Sequence, residues 1–216
     1  MLQKVFLSDF DGTITEKDVL VSIMEHFAPQ EWKEIYKELL SGKIGIDEGI
    51  KRMFNLIPST KKDEIIEWVL ENAKIRDGFE EFLDYLNTKE IPFVILSGGL
   101  DFYISQILKP YLPKIHKIYA NKALFDKEFI DVQFIYKCGD YCNKSCGVCK
   151  PYIIHRDFKN FYRYYAGDGI TDILASKHCH FIFATSNLKL YLEKENIDFV
   201  PFETFYDILR VLSKKQ

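Results

Sequence analysis

Two stretches of this chain place carboxylates where an apolar run gives way to a turn. Asp9-Phe10-Asp11-Gly12-Thr13 follows the run that starts at Lys4, and the two-residue period of a strand puts Asp9 and Asp11 on one side with Phe10 turned into the core. Like charges so close repel unless a cation lies between them or one holds a proton. Both outcomes are useful: a hard divalent cation takes carboxylate oxygens together with phosphate and water, and a carboxylate can attack or carry a proton. An EF-hand loop is excluded, because its glycine stands sixth and Gly12 would stand fourth. Gly167-Asp168-Gly169-Ile170-Thr171-Asp172 also follows an apolar run and opens a helix, with Asp168 at a strand end and Asp172 about one turn along. An ordinary Asp-Gly turn and a helix N-terminus account for either stretch alone; the two together point to an acidic, cation-binding site.

Two further residues supply what an anion needs. Ser97 closes the apolar run Pro92 to Leu96 and precedes Gly98-Gly99, offering a hydroxyl and backbone N–H groups at a strand end. Lys150 stands at the predicted start of a helix, where the helix dipole disfavours a cation unless a bound anion compensates. Each has a plain alternative, a glycine turn for the first and a solvated surface lysine for the second.

The elements that must hold these residues are legible in the hydrophobic period. Lys4 to Phe10 reads as a buried strand, and the pattern is helical from Asp18 to about Lys74, with segments near Leu20–Phe27, Trp32–Leu39, Ile46–Ile57 and Ser59–Ala73. Ser59 or Thr60 is the expected cap of the last of these. After Arg76 helices and strands alternate: helix 79–88, strand 92–96, helix 100–108, strand-like stretches 117–124 and 129–135, helix 151–158, strand 162–166, helix 171–177, strand 180–184, and a closing helix-strand-helix run. That alternation predicts an α/β chain with a Rossmann-like parallel sheet covered on both faces, in which ligands sit at the carboxyl ends of the strands.

In order, D-x-D-G-T, a strand-ending Ser, a Lys and G-D-G-x-T-D resemble the four motifs of haloacid dehalogenase-superfamily phosphatases, over nearly the whole chain. The helical insert resembles the small cap of the phosphoserine phosphatase-like branch. The resemblance implies a catalytic core at 1–15 and 76–216, a cap at 16–75, and hydrolysis through an aspartyl phosphate. It makes Asp9 the nucleophile and Asp11 the acid and then the base, with Ser97, Thr13 and Gly98 at the phosphoryl oxygens and Lys150 neutralising them. Mg²⁺ is implied at the Asp9 carboxylate, the Asp11 carbonyl and Asp168, supported by Asp172. In the cap, Asp18 stands where phosphoserine phosphatases carry Glu, a departure that points away from phosphoserine; Arg52 is either a substrate contact or a solvated helix charge. Phe27-Ala28-Pro29, Glu48 to Phe54, Asp101-Phe102 and C-x-x-C-K-P resemble the methionine-salvage members of that branch, which implies 2-hydroxy-3-keto-5-methylthiopentenyl-1-phosphate as substrate, with phosphoserine or another small phosphomonoester as the alternative.

Cys138, Cys142, Cys146 and Cys149 crowd into twelve residues directly before Lys150. The spacing permits a structural Zn²⁺ knuckle, thiols that oxidise reversibly, or stable disulfides. A zinc-knuckle binding module with vestigial acids is therefore the competing function class. Among 216 residues, 29 Lys and Arg stand against 32 Asp and Glu, so there is no broad basic field for nucleic acid. Acidic residues interrupt the N-terminal apolar run too early for a signal peptide or membrane span, which leaves a cytoplasmic protein acting on a small phosphorylated metabolite as the expectation.

Overall fold

Val5, Phe6 and Leu7 are all fully buried, as an apolar run in the middle of a two-sided sheet must be. In the computed structural model, which describes residues 2–138 and 145–214, they form β1 (Lys4–Ser8). The chain then makes an excursion through four helices, α1 (Val19–Phe27), α2 (Trp32–Leu40), α3 (Ile46–Phe54) and α4 (Lys62–Asn72). It returns through α5 (Phe79–Thr88), β2 (Phe93–Leu100), α6 (Asp101–Ile107), β3 (Lys117–Leu124) and β4 (Asp131–Gln133). The rest is α7 (Lys150–Phe158), β5 (Tyr162–Gly167), α8 (Asp172–Ser176), β6 (Phe181–Ala184), α9 (Ser186–Lys194), β7 (Val200–Pro201) and α10 (Phe205–Lys214).

The sheet has the order β4-β3-β2-β1-β5-β6-β7, so β1 is central and the chain winds outward from it in both directions. Alternation sorts the strand side chains between two cores. Phe6, Phe93, Ile95 and Tyr164 face one, with Phe79, Phe82 and Phe205 of α5 and α10. Val5, Leu7, Val94, Leu96 and Tyr165 face the other, with Ile153, Ile154 and Phe158 of α7. Much of the aromatic content sits in the first core, where the Phe6 and Phe82 rings meet edge to face at 4.8 Å and Phe79 and Phe205 at 5.0 Å.

Two local expectations are corrected. The strand-like stretch 129–135 shortens to β4, which runs antiparallel to β3 on an otherwise parallel sheet; the few residues between them permit a hairpin but no crossover helix. Ser59 is not the cap: a 3₁₀ turn at Ser59–Lys61 leads into α4, and the buried Ser59 hydroxyl has no hydrogen-bond partner among the described residues.

The excursion is tied to the sheet region at both ends and at several points between. Its two connections pair with each other at Thr15 and Ile75, where the Glu16 N–H donates to Lys74 O and the Arg76 N–H to Ile14 O. Midway, Pro58 bridges to Phe129, with the Ser59 N–H on Glu128 O and the Ile130 N–H on Ile57 O. Among the described residues no helix is long and apolar enough to cross a membrane.

Candidate active site

The carboxyl ends of β1, β2 and β5 and the start of α7 deliver their polar residues to one place. Asp9 leaves β1 almost fully buried and accepts a hydrogen bond through Oδ1 from the Phe10 N–H at 2.7 Å. Lys150, 3% exposed at the first position of α7, reaches the same Oδ1 at 2.9 Å and Asp172 Oδ1 at 2.7 Å. Asp172, at the start of α8, also accepts from the Tyr165 hydroxyl at 2.5 Å and from the Asp168 and Gly169 N–H groups at 3.0 and 2.9 Å. Asp168 accepts from the Thr13 hydroxyl at 2.9 Å.

Asp9 and Asp11 divide rather than share a spot. β1 ends at Ser8, so strict alternation no longer binds the two residues. The Asp11 carboxylate turns toward the excursion and β2: Oδ1 accepts from the Val19 N–H at 3.1 Å, and Oδ2 from the Tyr103 hydroxyl at 3.2 Å and the Ser97 hydroxyl at 3.4 Å. Among the described residues the one group of three metal-ligating side chains is Asp9, Asp168 and Asp172, whose oxygens lie within 4.8 Å of one another. An all-oxygen, anionic set of this kind suits a hard divalent cation such as Mg²⁺.

Electrostatics support that fit. Burial raises the Asp9 carboxyl well above its ordinary value, helped by the Asp172 charge and opposed by Lys150. Burial and Asp172 push Asp168 up to about 7, and burial and Asp18 push Asp11 up to about 8. Burial alone would raise Asp172 and lower Lys150, yet their mutual attraction wins in both, holding the carboxyl below and the ammonium above the ordinary value. One lysine thus faces more buried acid than it can neutralise, which is the condition for taking up a cation.

The loop that carries the acids is held by groups the sequence reading did not single out. Arg76 donates to the Thr13, Gly12 and Glu203 carbonyls at 2.8–2.9 Å. Gly12 has φ +75°, and a Cβ there would lie 2.5 Å from Asp168 Oδ2, so only glycine lets the first acidic loop approach the second. The Gly99 N–H donates to Ser97 Oγ at 2.9 Å, and the Asn121 amide donates to Gly98 O at 2.7 Å. A Cβ on Gly98 would meet nothing within 4 Å, leaving the strand end open on that side.

The excursion's residues fare differently. Asp18 caps α1 through its Oδ1 on the Val21 N–H at 2.9 Å and lies near enough to raise Asp11. Arg52 is not brought to the acids: it is half exposed on α3 and pairs with Glu38 at 3.0 Å and Glu48 at 3.5 Å. Cys138 and Cys149 are buried and Cys146 is half-buried, but these three form no metal-ligating group; Cys142 lies outside the described residues.

The family model for haloacid dehalogenase-like hydrolases matches residues 6–177, a span that includes every one of these acids and Lys150. The chain belongs to this family. It is 41% identical over 201 residues to the 2-hydroxy-3-keto-5-methylthiopentenyl-1-phosphate phosphatase of Bacillus cytotoxicus, covering 93% of this chain and 91% of that protein. The protein of the same name from Bacillus mycoides is 42% identical over 205 residues, covering 94% and 93%. Among solved structures, a phospho-aspartyl intermediate analogue of phosphoserine phosphatase superposes with a TM-score of 0.70 at 20% identity over 98% of this chain and 99% of the other. A substrate-bound phosphoserine phosphatase does so at 0.69 and 19%, with the same coverage. That likeness is one of fold, and it extends to the mostly parallel sheet with helices on both faces.

Proposed function

We propose that this hydrolase is a Mg²⁺-dependent phosphatase of 2-hydroxy-3-keto-5-methylthiopentenyl-1-phosphate, with residues 16–75 as a cap over the leaving group. The observation that carries the reading is the buried Asp9–Lys150 contact beside Asp168, in a chain alike over nine-tenths of its length to phosphatases of that name.

The chemistry follows from how each group is held. Lys150 and the Phe10 N–H fix Asp9 Oδ1, which presents Oδ2 for in-line attack on phosphorus. As the new Asp9–phosphorus bond forms, the bond to the ester oxygen breaks, and Asp11 gives that oxygen its proton. A carboxyl pushed up to about 8 retains the proton at neutral pH. Asp11, now a carboxylate, takes a proton from water as the water attacks the aspartyl phosphate; phosphate leaves and Asp9 is restored. Ser97, Thr13 and the Gly98 N–H serve the equatorial phosphoryl oxygens, and Lys150 offsets the charge that collects on them. Asp9 and Asp168, with the Asp11 carbonyl, would hold Mg²⁺, which supplies further charge neutralisation. Asp172 acts from behind, orienting Lys150. The cysteine segment ends at Cys149, next to Lys150, and its part in this reading is to order the approach to α7.

The test is phosphate release from this phosphate and from phosphoserine, with and without Mg²⁺, for the wild type beside Asp9→Asn. Magnesium-dependent turnover of the first substrate, lost in the variant, is expected. Preference for phosphoserine would keep the chemistry and overturn the substrate; absence of release from both would overturn the reading.

A further inference from the structure

Asp11 is held by an unusual set of donors. Its Oδ1 receives a backbone N–H from Val19, and its Oδ2 receives two hydroxyls, from Ser97 at 3.4 Å and from Tyr103 at 3.2 Å. When a phosphoryl group is bound, the Ser97 hydroxyl is drawn to it, and Tyr103 is then the side chain left to restrain the acid.

Tyr103 is placed for that task. It is fully buried on α6, its ring packs edge to face with Phe102 at 5.5 Å, and Phe10 lies at 6.4 Å. The phenol can reach Asp11 because residue 99 has no side chain. A Cβ on Gly99 would stand 2.0 Å from the Tyr103 oxygen and 2.7 Å from Asp11 Oδ2. A buried hydroxyl whose path is kept clear by a glycine is a built contact.

We propose that Tyr103 is a positioning residue for the acid step: its hydroxyl holds the Asp11 carboxyl toward the ester oxygen once Ser97 is occupied by phosphate. A tyrosine hydroxyl is protonated at neutral pH, so it is available as a donor to the carboxyl. The inference rests on Asp11 being the proton donor, and the experiment separates the two ideas.

Tyr103→Phe is compared with wild type and Asp11→Asn by kcat/KM on p-nitrophenyl phosphate and phenyl phosphate, with Mg²⁺ present. kcat/KM reports formation of the phosphoenzyme, and p-nitrophenolate leaves without needing a proton whereas phenolate depends on one. Loss of one hydrogen bond to an ionisable group predicts about a tenfold fall on phenyl phosphate for Tyr103→Phe, with p-nitrophenyl phosphate held within about twofold. Thermal unfolding of Tyr103→Phe shows that folded enzyme is compared, and the ratio of the two kcat/KM values does not depend on the fraction of active enzyme, so the test holds if the variant folds poorly. Equal losses on both esters, or none on either, would overturn the role of Tyr103. If Asp11→Asn itself shows no leaving-group dependence, the assignment of Asp11 as the acid fails instead.

Discussion

Lys150 and Asp172 meet at 2.7 Å with side chains 3% and 0% exposed, one at the first position of α7 and the other at the first position of α8. A cation at a helix N-terminus opposes the helix dipole, and Asp172 is what makes that position tolerable. The pair joins two helices on one face of the sheet and aims the ammonium at Asp9.

Replacing Lys150 by Met should therefore damage both stability and chemistry. Removing one partner of a buried pair costs about 3–5 kcal/mol, or roughly 10 °C in Tm for a chain of this size. Loss of the charge facing the phosphoryl oxygens should lower kcat about 10²–10³-fold. Lys150→Arg should recover part of the stability and little of the rate, since a planar fork cannot reproduce a point contact to both Asp9 and Asp172. Thermal unfolding and steady-state phosphate release check both; a Met variant with unchanged Tm would show that the pair contributes nothing to folding.

Gly12 supports a second prediction. Alanine there must adopt a left-handed backbone and place its Cβ 2.5 Å from Asp168 Oδ2, a contact that displaces one of the three clustered acids. Backbone strain of about 1–3 kcal/mol is expected, and a displacement approaching an ångström in a positioned group lowers turnover by about 10²-fold. The Mg²⁺ concentration giving half-maximal rate should rise at the same time. Titrating Mg²⁺ against rate for Gly12→Ala decides it: a normal half-maximal concentration would mean that Asp168 has not moved or does not serve the metal.

What the sequence made legible, and what it hid, follows from the range of the interactions. Asp9, Asp11, Asp168 and Asp172 are visible because they follow apolar runs that must be buried strands, and a strand end fixes a location. The excursion 16–75 is visible because its apolar residues recur at helical spacing in four successive segments, with no strand pattern between them. Tyr103 is invisible because an aromatic in an apolar helix, beside Phe102, is indistinguishable from core packing until Gly99 and Asp11 are placed around its hydroxyl. Arg76 has the same problem, since its partners are backbone carbonyls of residues far away in the chain. Arg52 shows the converse: its place on an amphipathic helix suits either a ligand or a surface ion pair, and in the structure it pairs with Glu38 and Glu48. The direction of β4 was open for a different reason, because strand propensity says nothing about pairing partner.

Asp131 links the helical excursion to the sheet, and its titration gives the last prediction. On β4, its carboxylate meets Lys127 at 2.6 Å and Lys51 of α3 at 2.8 Å, while Oδ1 also accepts from the Val132 N–H. Hydrogen bonds from Lys127 and then Lys51 hold this carboxyl well below the ordinary range. A depressed folded value means that the stabilisation is fully present above the unfolded value of about 4 and is lost as pH falls from there through the folded value. Both lysines are more than half exposed, so solvent screening keeps the latch near 1 kcal/mol, about 3 °C in Tm. Asp131→Asn should lower Tm by about that amount at pH 7, and the gap to wild type should narrow toward pH 3, where the native residue is itself losing its charge advantage. Added salt at pH 7 should narrow it too, because exposed ammonium groups are screened. A gap equal at both pH values would place the effect in packing or in the Val132 contact and remove the ion pairs as the tie between α3 and the sheet.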